Sequence, residues 1–394
     1  MDESSSRFRI PKSSIEEKAS IINSLPKSTV YKNKWAIQIF REWQGQRANK
    51  ICTIEPGGVF KGEDIGLDVQ ELTESIENMN KSLNYWLCKF VQEVANKSGG
   101  RYPSGTLYNI VCGLKRFLVE KNGEGALNSL AVCDKRFGTF RRVLDAEMKD
   151  EIRCGLTVST KKDEKEAITD EEEDLFWSKG LMGTGSSNSL LNTVYFYNGK
   201  LFGLRGGEHR NITVRNIRVS DDCLRFEENS SKSFHGGICD LKYVPRAVTH
   251  ICHERGQTHA RCLVEVYRLY LGFCDFPCKM DKAFYFRPKK NRLGIDNVPV
   301  GINTLNQILP NMCSVAGIRK KTAHFLRVTC ATPLFNAGVD EKLIRERMGH
   351  RSNAFFQYEK ANREQMVKVS SILGTESKKC TTTSDVEISH DVNN

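Results

Sequence analysis

Apolar residues recur at three- and four-residue intervals along most of this chain, a period that fixes a mainly helical fold. Trp35, Ile39 and Trp43 stand four apart, with Phe40 beside them. Ile76, Met79, Leu83, Trp86, Leu87, Phe90 and Val94 predict a second helix with a wider apolar face. A third carries Leu107, Ile110, Val111, Leu114, Phe117 and Leu118, and a fourth Phe137, Phe140, Val143, Leu144 and Met148. Side chains three and four apart share one helix face, so these stripes must bury against one another. The pattern predicts an N-terminal helical bundle over residues 15–156, preceded by a polar flexible arm at 1–14.

At 394 residues the chain exceeds one comfortable core, which implies two domains. The stretch TVSTKKDEKE has no apolar period and reads as part of a linker over 157–167. Thr169 and Glu172 then form a T-x-x-E capping box that opens a second domain over 168–368. Residues 192–204 have a helical pattern, 223–228 that of a strand, 230–237 that of a polar turn and 243–247 that of a returning strand. Helical patterns resume at 263–273, 302–309, 323–336 and 341–348. The expected fold is mainly α with a small β-sheet: a helical bundle followed by a mixed α/β domain. The polar tail at 369–394 is expected to be disordered.

No run of about eighteen apolar residues exists, and the N-terminus lacks an apolar signal core, which argues against membrane insertion or secretion. The 14 cysteines lie singly, mostly inside apolar stretches, as buried thiols of a reducing compartment do. Cys252, His253, His259, Cys262, Cys274 and Cys278 offer metal-ligand types at no usual zinc spacing, so no metal is expected. A net charge of +11, from 59 Lys and Arg against 48 Asp and Glu, points to a polyanionic partner. Lys89, Arg101, Lys115, Arg116, Arg141 and Arg142 in the N-terminal helices are candidate contacts to DNA phosphates.

Three segments carry the chemistry. In LFGLRGGEHRNI, Arg205 ends an apolar helix, where it either caps the C-terminus or points into a site. In AHFLRVTCATPLFNAGV, His324 and Arg327 are three apart on one helix, either a basic pair at a helix start or part of a site. In MGHRSNAFFQYEK, Gly349 ends a helix, His350 follows at once, and Tyr358 comes in a short aromatic helix.

Phosphoryl transfer explains why these residue types belong together. Two guanidiniums, Arg205 and Arg327, suit the non-bridging oxygens of a phosphodiester, where charge builds during attack. A tyrosine hydroxyl, pKa about 10, is a poor nucleophile until cations lower that value and a base takes its proton. His324 is the candidate base and His350 the donor to a phosphate oxygen. Protonation of the departing oxygen falls to Lys232, in the polar turn, with Lys242 as the fallback. The arginines supply the charge that magnesium would, and no G-x-x-x-x-G-K-[ST] loop is present, so no cofactor is expected.

The order Arg205, Lys232, His324-Phe-Leu-Arg327, Gly349-His350, Tyr358 resembles the catalytic series of the tyrosine recombinase (phage integrase) family. GLRGGEH, the Lys232 turn with Gly236 and Gly237, and RCLVEVYRLYLGF are similar to crypton-type recombinases of DNA transposons and host proteins derived from them. The resemblance is specific over residues 195–360 and weak before them. It implies a core-binding domain and a catalytic domain that break and rejoin double-stranded DNA through a 3′-phosphotyrosyl link, assembling as dimers to tetramers on DNA in the nucleus. One departure is the eight-residue step from His350 to Tyr358, where the family has nine. Rival readings are a domesticated protein that binds DNA or chromatin without cutting, a type IB topoisomerase and a metallo-nuclease. The GHRS segment and the lack of an acidic cluster disfavour the last two.

Overall fold

The computed structural model describes residues 9–48, 60, 75–79, 82–154, 166–228, 241–242, 244–252, 261–274, 283–361 and 363–374. The chain divides into two compact units, residues 1–162 and 163–394. The architecture is mainly α with two small sheets, as the apolar period predicts.

In the first unit the N-terminal stripes close on one another. It comprises α1 (Ser14–Ser24), α2 (Lys27–Ala48), α3 (Leu83–Glu93), α4 (Ser104–Asn122) and α5 (Gly138–Arg153). Helix α2 packs on α4, and α3 on α5. Phe90 sits between Phe40 and Trp43, with ring centroids 5.1 and 5.3 Å away, in the tilted and edge-on arrangements that aromatic quadrupoles favour. The amino end of α4 is held by Glu151 of α5, whose carboxylate accepts from the Ser104 backbone N–H at 3.0 Å. Ile76 and Met79 are buried, but in a turn rather than on the helix expected there, which starts at Leu83. Helix α1 escaped the sequence reading because its described side chains are exposed and bury no stripe.

The second unit begins with α6 (Asp170–Ser178), opened by the expected capping box: Thr169 Oγ1 accepts from the Glu172 N–H, and the Glu172 carboxylate from the Thr169 N–H. There follow α7 (Ser187–Phe202), α8 (Gly206–Asn211), β1 (Ile217–Val219), β2 (Cys223–Glu227) and β3 (Ala247–Ile251). Then come α9 (Leu263–Phe273), β4 (Phe286–Pro288), β5 (Ile295–Pro299), α10 (Ile302–Ala316), α11 (Ala323–Asn336), α12 (Glu341–Met348) and α13 (Arg363–Leu373). Strands β1-β2-β3 form an antiparallel sheet in which Phe226 opposes Ile217 and Val248, and β4-β5 form a second antiparallel pair.

The returning strand lies four residues later than expected, at Ala247–Ile251. Val244 is exposed, whereas Arg246 and Val248 are buried, so a charged residue leads the inward-facing series and hides its period. The β4-β5 pair escaped detection because its strands carry Pro288, Pro299, Asp296 and Asn297, all poor strand formers.

Helix α7 is the central element, buried almost all round and packed on both α9 and α11. A polar relay crosses this core. Tyr267 donates to Asn198 Oδ1 at 2.7 Å, Asn198 Nδ2 donates to the Tyr285 hydroxyl at 2.8 Å, and that hydroxyl meets His209 Nδ1 at 2.7 Å. Burial pushes the His209 pKa down to about 3, so the ring is neutral and accepts the Tyr285 proton at Nδ1. The relay anchors α8, and with it Glu208, against α7 and α9.

Gly199 lets α7 and α11 approach: a Cβ there would stand 2.6 and 2.7 Å from Leu326 side-chain atoms. Gly199→Ala is therefore expected to destabilise by about 1–3 kcal/mol through overpacking, although alanine is the better helix former. The urea-unfolding midpoint is the measurement, and an unchanged or higher midpoint would contradict the close contact.

Candidate active site

Helix α11 carries the H-x-x-R pair. Arg327 is 0% exposed, and its guanidinium donates through Nη1 to the Gly203 carbonyl and through Nη2 to the Met348 carbonyl at 2.5 Å. Those carbonyls belong to the C-terminal ends of α7 and α12, which lack intrahelical donors, so one side chain satisfies both helix ends. Burial foremost, then the nearby Arg205 charge, lowers the Arg327 pKa to about 10, which keeps it cationic at neutral pH. Its Nε has no hydrogen-bond partner among the described residues.

Arg205 does not cap α7. Gly203 does so in the left-handed conformation, φ +57°, and Arg205 occupies the position that begins α8. Its Nη1 pairs with Glu208, whose other carboxylate oxygen accepts from the Arg205 backbone N–H at 3.0 Å. Glu208 also accepts from Arg246 Nη2 at 3.2 Å. Burial alone would raise the Glu208 pKa, but Arg246 and Arg205 outweigh it, and the carboxyl is held below its ordinary value.

Gly349 closes α12 with φ +60°, as its place in the sequence predicts, and turns His350 inward. Burial, followed by repulsion from Arg327, Arg205 and Arg246, pushes the His350 pKa down to about 3. Its Nε2 is buried without a hydrogen-bond partner among the described residues. Tyr358 ends a 3₁₀ turn, Asn353–Tyr358, rather than an α-helix. Its ring centroid lies 5.6 Å from that of His350, 5.8 Å from that of His324 and 5.9 Å from the Arg327 guanidinium carbon. The Tyr358 carbonyl accepts from Thr332 Oγ1 at 2.9 Å, so α11 holds the tyrosine segment as well. Tyr358 is 3% exposed.

Two family models match the chain. A domain of unknown function, DUF3504, matches residues 167–314, and the QRICH1 domain matches residues 30–150. The chain is similar to zinc finger MYM-type protein 3 of Homo sapiens, 24% identical over 290 residues, covering 68% of this chain and 20% of that protein. Zinc finger MYM-type protein 2 of Homo sapiens is 25% identical over 130 residues, 33% of this chain and 9% of that protein. The chain thus spans about a fifth or less of the length of these curated relatives. Among solved structures it is similar to the XerH site-specific recombinase bound to palindromic difH substrate in a post-cleavage complex. There the identity is 16%, the coverage 78% of this chain and 74% of that chain, and the TM-score 0.46. For the Tn1549 transposon integrase in complex with circular intermediate DNA the identity is 15%, the coverage 85% and 98%, and the TM-score 0.41.

The structure gathers Tyr358, His324, His350 and Arg327, with Arg205 two residues beyond the Gly203 carbonyl that Arg327 holds. Lys232 lies outside the described residues, as do His253, His259 and Cys278. The fallback Lys242 is exposed in a turn, and Cys252, Cys262 and Cys274 are buried in the core of the second unit. In the first unit Lys89 lies 5.4 Å over the Tyr85 ring, Lys115 is half-buried, and Arg116 and Arg142 are exposed. Arg101 is engaged by Asp150 at 2.6 Å, and Arg141 donates to the Ala131 carbonyl at 2.7 Å. The sequence reading missed Glu208 and Arg246. The three-residue step from Arg205 to Glu208 in RGGE was a usable signal, because it places both at the start of one helix. Nothing local marks Arg246.

Arg327→Ala is expected to lower the unfolding free energy by about 2–4 kcal/mol, because two buried carbonyls lose their donor and a cavity opens. Arg205→Ala is expected to cost less, since Glu208 keeps Arg246. Denaturant titration of the two variants checks the order. His350 and His209 also make stability depend on pH. Folded, both stay neutral down to about 3, whereas the unfolded chain takes up protons below about 6.5. Stability is thus present above that value and is lost as pH falls toward 3. His350→Gln should flatten the loss, measured as the urea midpoint against pH, and an unaltered slope would contradict the buried neutral imidazole.

Proposed function

We propose that this chain breaks and rejoins double-stranded DNA as a tyrosine recombinase does, with Tyr358 as nucleophile. The observation that carries the reading is the convergence of a tyrosine, two histidines and a buried arginine, all from one subunit, within 6 Å separations. In this reading Arg205 and Arg327 hold the non-bridging oxygens of one phosphodiester. His324 takes the phenolic proton, the phenolate oxygen bonds to phosphorus, and the bond to the 5′-oxygen breaks. Lys232 gives that oxygen its proton, which leaves a free 5′-hydroxyl and a 3′-phosphotyrosyl link. A 5′-hydroxyl attacking the link reverses the step and seals a strand. His350, neutral in the folded protein, donates one N–H to a phosphate oxygen. The negative charge of the bound phosphate draws its pKa upward and strengthens that bond.

The exposed Arg116 and Arg142 of the first unit are then phosphate contacts, and assembly on DNA is dimeric to tetrameric. Descent from a crypton-type element and a nuclear location belong to the same reading. The burial of Tyr358 and Arg327 favours a second one, a domesticated protein that grips DNA or chromatin without cutting.

Trapping separates the two. A duplex nicked beside the scissile phosphate is expected to give a covalent protein–DNA adduct that Tyr358→Phe abolishes while leaving affinity and thermal midpoint unchanged. Binding without any adduct from the unaltered chain favours the silent form.

A further inference from the structure

Arg246, just before β3, is 7% exposed and touches the ends of α7 and α12 and the start of α8. Its Nη1 donates to the Phe202 carbonyl at 3.0 Å, at the end of α7 and three residues before Arg205. The same nitrogen reaches the Arg347 carbonyl at 2.5 Å, at the end of α12 and three residues before His350. Nη2 meets Glu208 at 3.2 Å, and Nε lies 3.5 Å from Glu228, the residue after β2. The guanidinium also lies 5.3 Å over the Phe226 ring and packs under Gly349, where a Cβ would stand 3.0 Å from Nε.

A planar fork with five donors serves such a junction as no single point charge does. Two of its contacts neutralise charge and two satisfy helix-end carbonyls. Arg327 ties α7 to α12 as well, but among the described residues no carboxylate lies within ion-pair distance of it, whereas Arg246 pairs with Glu208, the carboxylate that also holds Arg205. From this geometry we infer that Arg246 is a positioning residue: through Glu208 it fixes the aim of Arg205, and through the α7 and α12 ends it sets His350 in register with it.

This role rests on the proposed strand cleavage. Glu208 faces Arg205 before α8, Arg246 just before β3, Arg327 on α11, His350 after α12 and His209 beside it, and Arg246 exerts the largest of the charge effects that keep it ionised. Without Arg246, burial raises the Glu208 pKa, and the carboxyl releases Arg205 at a higher pH than before.

The test is the single-turnover rate of adduct formation on nicked duplex across pH, with DNA affinity and thermal midpoint recorded, for the unaltered chain, Arg246→Met and Arg246→Lys. The methionine variant is expected to be slower by about 100-fold at neutral pH, the cost of a misplacement near 1 Å. Its affinity should be unchanged and its acid limb moved to higher pH. The lysine variant should return the acid limb toward its original place while remaining slow, since an ammonium restores charge but not the fork. A methionine variant with the original rate and profile overturns the role. So does a slowing equal at every pH that tracks a lower thermal midpoint, which marks a merely structural residue. If the methionine variant does not fold, the lysine variant decides: slow with the original acid limb supports the role, and full speed overturns it. No adduct from the unaltered chain overturns the cleavage reading and this role together, whereas an adduct that is insensitive to Arg246 removes the role alone.

Discussion

The second unit depends on a guanidinium that has left water. Moving a cation into a protein interior costs several kcal/mol even after relaxation, and Arg327 recovers that cost only where Gly203 and Met348 turn their carbonyls toward it. Both carbonyls lie at helix ends, where the aligned backbone dipoles concentrate negative character. The arrangement holds only when α7, α11 and α12 are all in place, because losing one end strands a charge and an acceptor together. The site inherits this rigidity. Arg205 follows one of the two carbonyls, His350 follows the other, and Thr332, on the same helix as Arg327, fixes the segment that ends in Tyr358.

The electrostatics follow from the same packing. Arg205, Arg246 and Arg327 crowd around Glu208, and burial first, then their field, keeps His350 uncharged. Such a cluster is already oriented toward negative charge before any arrives, which is where most electrostatic catalysis originates. Neutral His350 also avoids adding a fourth cation to a buried group that could not accommodate it.

Much of this was legible in the residues. The three- and four-residue apolar period gave the helices, Thr169 and Glu172 gave the opening of α6, and Gly349 gave the left-handed end of α12. His324, Arg327, His350 and Tyr358 stood out because their chemistry and order fit one reaction, and the fold brings their side chains together. What stayed hidden in the site has one physical cause: a buried charge looks like a surface charge in a sequence. Arg246 is one of 59 basic residues, and only the fold shows that it faces inward. The same inward charge displaced the expected strand by masking its alternation. Helix α1 and the β4-β5 pair were missed for the opposite reason, because neither presents an apolar period to detect.

The span of the Arg327 contacts bears on how the chain is made. Gly203 is 124 residues before Arg327 in sequence, and Met348 a further 21 beyond it, so the lock closes a long loop through its last-synthesised partner. Long-range contacts of this kind form late and slow folding relative to helix formation. A nascent chain that has emerged only as far as α11 holds a bare cation with half its acceptors, and stays open until α12 leaves the ribosome. Assembly of the site thereby waits for the synthesis of α12, after α7 and α11 have already emerged.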